Sequence, residues 1–528
     1  MAEFDAIIVG GGHNGLVTAG YLARAGARVL VLERRPLVGG ACVTEEPWPG
    51  YRISTYGYAA GLLRPKVVED LELKRFGYRP ILCDPQEFSP FPDGRSLTFW
   101  LDEEKTQQEI AKFSKRDALA YPKYVEWWDS ILDQIEPILL SPPVPLGEML
   151  TSWTGRDPQE MLKDLFLQSS VDLLDGWFES EELKGVMASG SIIGTFAGPR
   201  TPGTAYILAH NSIGILDGHQ RIWGLAEGGM GGITQAMARS AEHYGTRIET
   251  GTGVRQILVE SGRAVGVETD AGAVHRAPTV VSSLDLKQTF LRLLPADAVG
   301  TEFRRRVERI RNDGACLKFN AALDHLPHYT AAADATRLRG ALDIAPSVNY
   351  LERAYDEAKY GRFSSRPYID IYHQSLLDPS VAPPGKHTMT CFVEYAPTHL
   401  RGKAWDDVRP EVAETVLDTI QEYAPDIRSA VTHWQVVTPQ DMERELGMTG
   451  GNIDQGDITP DQLFSFRPIP GWTSYRTPVA GLYLCGSATH PGGGVLGAPG
   501  HNAAQIILAD WRVARNGTGE GSRVPTPT

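Results

Sequence analysis

Three glycines close to the amino terminus have the spacing of a phosphate-binding turn. Gly10, Gly12 and Gly15 form G-x-G-x-x-G directly after the apolar run Ala6–Val9 and at the start of a helical pattern. The first glycine allows a tight turn, the second lets the backbone approach a pyrophosphate, and the third lets the helix pack on the strand. The free N–H groups and the positive dipole of the helix start attract the phosphates. The residues therefore predict a dinucleotide-binding site.

The elements around these glycines have the order that such a site requires. The helical pattern runs to Gly26, a predicted helix stop, and Val29–Leu32 is a second apolar run that ends at Glu33. An acidic residue about 20 residues beyond the glycines accepts hydrogen bonds from ribose hydroxyls. With 55 glycines in 528 residues, the spacing alone is a weak signal. The strand–turn–helix–strand context favours the dinucleotide over a tight turn that binds nothing.

A second glycine-rich turn lies near the carboxyl terminus. An apolar strand pattern ends at Cys485 and is followed by glycine-rich backbone and a helical pattern that continues to Trp511. Two such turns at opposite ends of a chain suit an extended cofactor that lies across a sheet. His490 precedes the glycines, and we weigh two roles for it: a hydrogen bond to cofactor or substrate, or the cap of a turn.

Four stretches of the chain together resemble one protein family. They are GGGHNGL at Gly10, LDGWFESEELK around Trp177, GGNI at Asn452, and LYLCGS with HPGGGV around His490. They are similar to the pyridine nucleotide-disulphide oxidoreductase domain-containing protein 2 family, within the phytoene desaturase and flavin amine oxidase superfamily. The pattern E-R-R-P-L-V-G-G, which begins at Glu33 and ends at Gly40, is likewise typical of FAD proteins. The resemblance spans residues 4–511.

This resemblance implies an α/β fold with a Rossmann-like FAD-binding domain of the glutathione reductase type and an interleaved α+β substrate domain. The implied FAD-binding domain is discontinuous (1–64, 224–290 and 475–515), the substrate or cap domain covers 65–223 and 291–474, and 516–528 is a flexible tail. The implied non-covalent FAD site consists of Gly10, Gly12, His13, Asn14, Gly15, Glu33, Arg34, Gly39, Gly40, Ala41, Val254, Gly486, Ser487, Gly493, Gly494 and Val495. For Val254 the alternative is an ordinary strand residue.

The resemblance also implies candidates for the chemistry. Lys318 lies in DGACLKFNAAL, a predicted strand on which it shares a face with Cys316 and Asn320. In flavin amine oxidases a lysine at the matching point holds a water at flavin N5; the alternative is an edge lysine that faces solvent. Tyr56 is a candidate for lining the flavin-facing cavity, or for ordinary aromatic packing against loops.

Composition excludes several other functions. The net charge is −14 and no lysine or arginine run is long enough to follow a phosphate backbone, so we expect no nucleic-acid partner. The five cysteines form no C-x-x-C pair, which fits a reducing compartment and argues against a disulfide reductase. No second G-x-G-x-x-G has strand context, and no metal-ligand spacing or Ser-His-Asp grouping occurs.

The remaining expectations concern location. No signal peptide precedes the first strand, and no apolar run approaches the roughly 20 residues of a membrane span. We therefore expect a cytoplasmic protein, with possible peripheral membrane contact. An apolar stripe within 104–140, containing Trp127 and Trp128, fits a core helix, although it suits a tunnel cover or a bilayer contact as well.

Three functions stay open at this point. The first is an FAD-dependent oxidoreductase that moves hydride between flavin N5 and an apolar polyene, isoprenoid or lipid-like substrate, with oxygen or a quinone as external acceptor. The second is an amine oxidase-like enzyme that uses oxygen, favoured by Lys318. The third is a non-catalytic flavin- or lipid-binding protein, against which the complete glycine set and Glu33 argue. The sequence does not indicate the oligomeric state.

Overall fold

The computed structural model describes residues 3–516, so the tail predicted for 516–528 lies outside the described residues apart from Asn516. The strands are β1 (Ala6–Val9), β2 (Val29–Leu32), β3 (Glu45–Trp48), β4 (Tyr51–Ile53), β5 (Pro80–Leu82), β6 (Glu87–Pro90), β7 (Ser96–Phe99), β8 (Ile215–Leu216), β9 (His219–Gln220), β10 (Gly224–Ala226), β11 (Arg247–Glu249), β12 (Val254–Glu260), β13 (Arg263–Thr269), β14 (Val274–Arg276), β15 (Thr279–Ser282), β16 (Cys316–Leu323), β17 (Ala341–Ile344), β18 (Tyr368–Tyr372), β19 (His387–Glu394), β20 (Val431–Val437) and β21 (Leu482–Leu484).

The α-helices follow the same order along the chain. They are α1 (His13–Arg24), α2 (Pro65–Asp70), α3 (Glu103–Ile110), α4 (Lys115–Leu139), α5 (Leu146–Ser152), α6 (Pro158–Met161), α7 (Ser170–Asp175), α8 (Glu181–Ser189), α9 (Thr204–Ser212), α10 (Met230–His243), α11 (Thr301–Glu308), α12 (Val348–Lys359), α13 (Trp405–Gln421), α14 (Ile427–Ala430), α15 (Pro439–Leu446) and α16 (Ala498–Asn516).

A parallel sheet of five strands forms the first layer, in the order β11-β2-β1-β15-β21. Its strands come from three separate stretches of the chain. β1 and β2 are buried throughout, because both faces of the sheet are covered: α1, α10 and α16 pack on one face, and the sheet β12-β13-β14 packs on the other. Apolar runs of four residues are the sequence pattern of such doubly covered strands. The Rossmann-like fold predicted from the sequence is confirmed.

A second, seven-stranded sheet of mixed direction has the order β20-β16-β19-β18-β17-β6-β7. Its register places Lys318 of β16 beside Phe392 of β19, Phe392 beside Asp370 of β18, and Asp370 beside Asp343 of β17. Neighbours across a sheet point to the same face. These four side chains therefore form one row across four strands. Phe392 lines the pocket described below, and Asp370 and Asp343 line the cavity beside it.

Helices α4 to α9 cover the face of the second sheet that carries this row. The stripe of α4 points inward, with Trp128 and the aliphatic residues that follow it in the core. The stripe is therefore a core face and is not available to a bilayer. Among residues 3–516 no helix is long and apolar enough to cross a membrane.

Candidate active site

The turn between β1 and α1 opens onto a deep pocket. Gly10 has a φ of +93°, which glycine adopts without strain. A Cβ at Gly15 would overlap the carbonyl oxygen of Gly10, so this position needs a glycine for packing. A Cβ at Gly12 would meet no atom within 4 Å, because Gly12 faces the pocket. The space above Gly12 is where a pyrophosphate approaches such a turn.

Two side chains at the start of α1 have polar atoms without partners. His13 Nε2 and Asn14 Oδ1 are buried and make no hydrogen bond within the described residues, although both residues line the pocket. Burial lowers the pKa of His13 to about 4, so the imidazole is neutral. Buried polar atoms are nearly always hydrogen-bonded, and these orphaned atoms fit a polar ligand in the pocket.

Glu33 reaches the pocket from the end of β2. Its Oε2 accepts a hydrogen bond from the Gly11 N–H at 2.8 Å, and its Oε1 accepts one from the Arg35 N–H at 2.9 Å. Two backbone donors therefore fix the carboxylate at the pocket wall. Each carboxylate oxygen accepts more than one hydrogen bond, which leaves room for ribose hydroxyls.

The carboxyl-terminal turn lines the same pocket. Ser487, Gly494 and Val495 are on its wall, and Asn14 Nδ2 donates to Ser487 Oγ at 3.3 Å. The two glycine-rich ends predicted from the sequence thus meet. Gly39, Gly40 and Ala41 line the pocket as well.

Other predicted cofactor residues lie off the pocket wall. A Cβ at Gly486 would overlap the Ser283 carbonyl, and one at Gly493 would overlap the Asp454 carboxylate, so both act through packing, as Gly15 does. Arg34 is exposed and donates to the Arg444 carbonyl at 3.1 Å. Val254 pairs with Thr269 at the start of β12. For Arg34 and Val254 a contact with the cofactor stays a prediction.

The structure adds pocket residues that the sequence analysis missed. They include Arg35, Ile193, His210, Asn211, Trp223, Phe392 and Gln455, and Tyr58, close to the candidate Tyr56, lines the pocket as well. The Arg35 guanidinium lies 5.6 Å from the centre of the Tyr56 ring, and its Nη1 is buried without a partner in the described chain. Arg35 belongs to the E-R-R segment, whose pattern is typical of FAD proteins. The other residues lie far along the chain, on helix α9, on strand β19 and on loops, and have no local signal.

Two of the three catalytic candidates each have one polar atom engaged with a residue outside the pocket wall. Tyr56 lines the pocket, but its hydroxyl donates to Glu445 Oε2 at 2.5 Å. His490 is buried behind the wall, with Nε2 3.0 Å from the Ile138 carbonyl oxygen, and burial lowers its pKa to about 4. His490 Nδ1 has no partner among the described residues. A role in the chemistry stays a prediction for both residues.

Lys318 is not the solvent-facing edge lysine that the sequence left open. β16 is an inner strand between β19 and β20, and the Lys318 side chain is completely buried. Its Nζ makes no hydrogen bond in the described residues and lies 4.2 Å from the centre of the Tyr58 ring. Tyr58 lines the pocket and Lys318 does not. A direct contact between Lys318 and the flavin therefore stays a prediction.

A second cavity adjoins the pocket. Five residues line both spaces: Tyr58, Ala59, Ile193, Asn211 and Trp223. From this shared wall the cavity extends between α4, α8 and the second sheet, and polar residues around Arg221 are also part of its lining. The arrangement provides a long cofactor pocket and a second cavity that shares part of its wall.

Comparison with known proteins agrees with this geometry. Residues 8–67 match the NAD(P)-binding Rossmann-like domain, and residues 155–508 match the flavin containing amine oxidoreductase family. The chain is 38% identical to pyridine nucleotide-disulfide oxidoreductase domain-containing protein 2 of Rattus norvegicus, over 97% of this chain and 94% of the relative. It is 27% identical to one of the subunits of limonene dehydrogenase from Castellaniella defragrans, over 97% and 95%.

Among solved structures, a putrescine oxidase bound to putrescine superposes with a TM-score of 0.59 at 14% identity, over 97% of this chain and 99% of that one. At this identity the similarity concerns the fold. The glycine turn between β1 and α1, the unpaired polar atoms of His13 and Asn14, and the carboxylate of Glu33, which backbone N–H groups hold in place, all fit FAD. The chain is an FAD-dependent oxidoreductase and belongs to the flavin containing amine oxidoreductase family.

Proposed function

We propose that the protein oxidises or reduces an organic substrate with an apolar body, held in the cavity beside the cofactor pocket. The observation that carries this proposal is the wall shared by the two spaces, formed by residues such as Tyr58, Ala59 and Trp223. A substrate in the cavity reaches the end of the cofactor pocket without passing through bulk water. When bound, FAD supplies a hydride acceptor or donor at flavin N5.

The cavity wall favours an apolar substrate body. More than half of its lining residues are aromatic or aliphatic, and they include Phe99, Trp100, Tyr124, Val125, Trp128, Leu208 and Ile222. Burial of apolar surface against such a wall contributes about 25 cal/mol per Å². The similarity to a limonene dehydrogenase from Castellaniella defragrans supports an isoprenoid-like body.

The chain's own residues have three tasks in this reaction. The glycine turn and Glu33 hold the cofactor, and the aromatic wall excludes water from the chamber and orients the substrate body. The side chains of the shared wall determine which substrate atom reaches the flavin. We further propose an external electron acceptor, oxygen or a quinone, and a cytoplasmic location with peripheral membrane contact during uptake of lipid-soluble substrates.

A variant that blocks the shared wall tests the proposal. We expect Ala59→Trp to retain FAD and anaerobic photoreduction, and to lose flavin reduction by limonene or by ligands extracted from the purified protein. Leu119→Trp is the matched control, because Leu119 is 77% exposed on α4 and does not line the cavity. If these compounds reduce the flavin of Ala59→Trp as fast as they reduce the flavin of the control variant, the cavity is not the substrate chamber.

A further inference from the structure

One acidic side chain on the wall of the cofactor pocket has no partner in the protein. Asp454 follows directly on the GGNI stretch, lines the pocket and is only 5% exposed. Its backbone is held on both sides, because its N–H donates to Asn452 Oδ1 at 3.1 Å and its carbonyl accepts from Arg467 Nη2 at 2.7 Å. Neither oxygen of its carboxyl group forms a hydrogen bond or an ion pair within residues 3–516. Burial of such a group costs free energy unless something binds it.

The carboxyl group lies beside the carboxyl-terminal glycine turn. A Cβ at Gly493 would lie 1.8 Å from Asp454 Oδ1, and a Cβ at Gly194 would lie 2.9 Å from Asp454 Oδ2. Two glycines from distant parts of the chain therefore leave the space that this side chain fills. Gly194 follows Ile193, which lines both the cofactor pocket and the second cavity. The carboxyl group is thus placed where the glycine turn, the pocket and the shared wall come together.

A second side chain at the same turn also lacks a partner. His210 lines the pocket, and its Nε2 lies 3.2 Å from the Gly493 carbonyl oxygen. A carbonyl oxygen only accepts hydrogen bonds, so Nε2 carries the proton and Nδ1 is an acceptor. Nδ1 is buried and meets no donor among the described residues. Burial lowers the pKa of His210 to about 4, so the ring is neutral. Its open acceptor, like the free carboxyl group, fits a polar ligand at this part of the wall.

The surroundings of Asp454 favour its protonated form. Burial raises the pKa of Asp454 to about 7, although the Arg467 guanidinium acts in the opposite direction. Arg467 donates instead to backbone carbonyl groups, among them that of Ser487 at 2.7 Å. The other titratable side chains near Asp454 or on the pocket wall are Asp457, Glu394, Cys316, His13, Glu33, Arg35, Cys42, Tyr56, Tyr58 and His210, and Lys318 lies against the Tyr58 ring. At neutral pH a large share of the molecules therefore carries a proton on the Asp454 carboxyl group.

We propose that protonated Asp454 donates a hydrogen bond to FAD beside the turn at Gly493. FAD fits this role, because its two phosphates are negatively charged and its flavin ring carries carbonyl and nitrogen acceptors. An anionic cofactor favours the protonated form of a neighbouring acid and disfavours the ionised form. Binding of FAD therefore takes up a proton whenever Asp454 of the empty pocket is ionised. The inference concerns the cofactor alone and holds for any substrate.

The pH dependence of FAD affinity tests this inference in the FAD-loaded wild-type protein. Dilution of this protein releases a fraction of its FAD, and the fluorescence of the released flavin gives the Kd at each pH. Binding takes up a proton above the pKa of Asp454 in the empty pocket, which is about 7. The Kd should therefore rise by at least about tenfold between pH about 7 and pH about 9. A Kd that stays constant over this range overturns the proposal without any mutation.

Two variants assign the proton to one side chain. Asp454→Asn retains a donor of the same shape but cannot ionise, so its Kd should change by less than about twofold over the same pH range. Lys318→Met should keep the wild-type pH dependence, because Lys318 does not line the pocket. A pH dependence that persists in Asp454→Asn, or that is lost only in Lys318→Met, contradicts the role of Asp454. If Asp454→Asn does not fold, Asp454→Ala provides the second test, since it should bind FAD more weakly than the wild type at pH about 7 and show the same lack of pH dependence.

Discussion

The side-chain nitrogen of Lys318 lies 4.2 Å from the centre of the Tyr58 ring, and both residues are enclosed by the protein. Tyr58 in turn stacks on Phe392, with 5.1 Å between ring centres. Tyr58 is also part of the wall between cofactor pocket and chamber. Lys318 therefore packs against the ring that separates the two spaces. This contact costs folding free energy, because a buried lysine without a hydrogen-bond partner is unfavourable.

Lys318→Met should stabilise the protein near neutral pH. Burial lowers the folded-state pKa of Lys318 to about 7, whereas an unfolded lysine has a pKa of about 10.4. Between these values the unfolded state binds one more proton, so the wild-type free energy of unfolding rises with pH. The gain from Lys318→Met should be largest below pH about 7 and vanish towards pH about 10.

Thermal unfolding of the FAD-loaded protein at several pH values measures this effect. The groups that act on Lys318 are Cys391, Asp370 and Cys316, besides the Tyr58 ring, and they are unchanged in the variant. Lys123→Met, on the exposed side of α4, is the control and should show no such pH dependence. A variant that is less stable than the wild type at pH about 7 would contradict the prediction.

Gly12→Val should abolish FAD binding without unfolding the protein. The added side chain meets no protein atom within 4 Å of its Cβ, and it occupies the space that the pyrophosphate needs. Acid precipitation of the purified variant should release no flavin, and its unfolding temperature should equal that of the wild-type protein stripped of FAD.

Gly15→Val is the contrast to this variant. Its Cβ would overlap the Gly10 carbonyl oxygen, so we expect low soluble yield and a lowered unfolding temperature in addition to flavin loss. Full flavin content in Gly12→Val would show that the pyrophosphate does not lie against this turn.

Glu33→Ala should weaken FAD binding by about 1–3 kcal/mol, the range for hydrogen bonds to a charged group. The substitution removes the acceptor for ribose and frees the Gly11 and Arg35 N–H groups. Glu33→Gln keeps one acceptor oxygen and should therefore lose less affinity for FAD than Glu33→Ala. Titration of the stripped protein with FAD measures both, and Glu69→Ala on the surface of α2 serves as the control. Unchanged affinity in Glu33→Ala would place the ribose elsewhere.

The sequence was sufficient to predict those elements whose signals lie close together in the chain. The strand–turn–helix–strand unit from Ala6 to Glu33 could be placed because its glycines, apolar runs and acidic residue lie within 30 residues. The segment 104–140 was predicted as one helical stretch, but it is two helices, since the Ser114 side chain caps a new helix at the Asp117 N–H. Capping serines are weak signals inside a long polar–apolar pattern.

The row of side chains on the second sheet could not be predicted in this way. Lys318, Asp343 and Asp370 lie far enough apart in sequence that only the strand register brings them into one row. Register across a mixed sheet depends on long-range packing. The sequence analysis therefore considered Lys318 alone and named neither Asp343 nor Asp370.

The contact between the two ends of the chain has a consequence for biosynthesis. Asn14 donates to Ser487, 473 residues later, and Thr18 donates to the Gly500 carbonyl, 482 residues later. A ribosome that adds about 5–20 residues per second needs roughly half a minute or more to make the second partner after the first. Throughout that time the nascent glycine turn has no opposite wall. Both walls of the cofactor pocket are therefore present only after residue 500 has been synthesised.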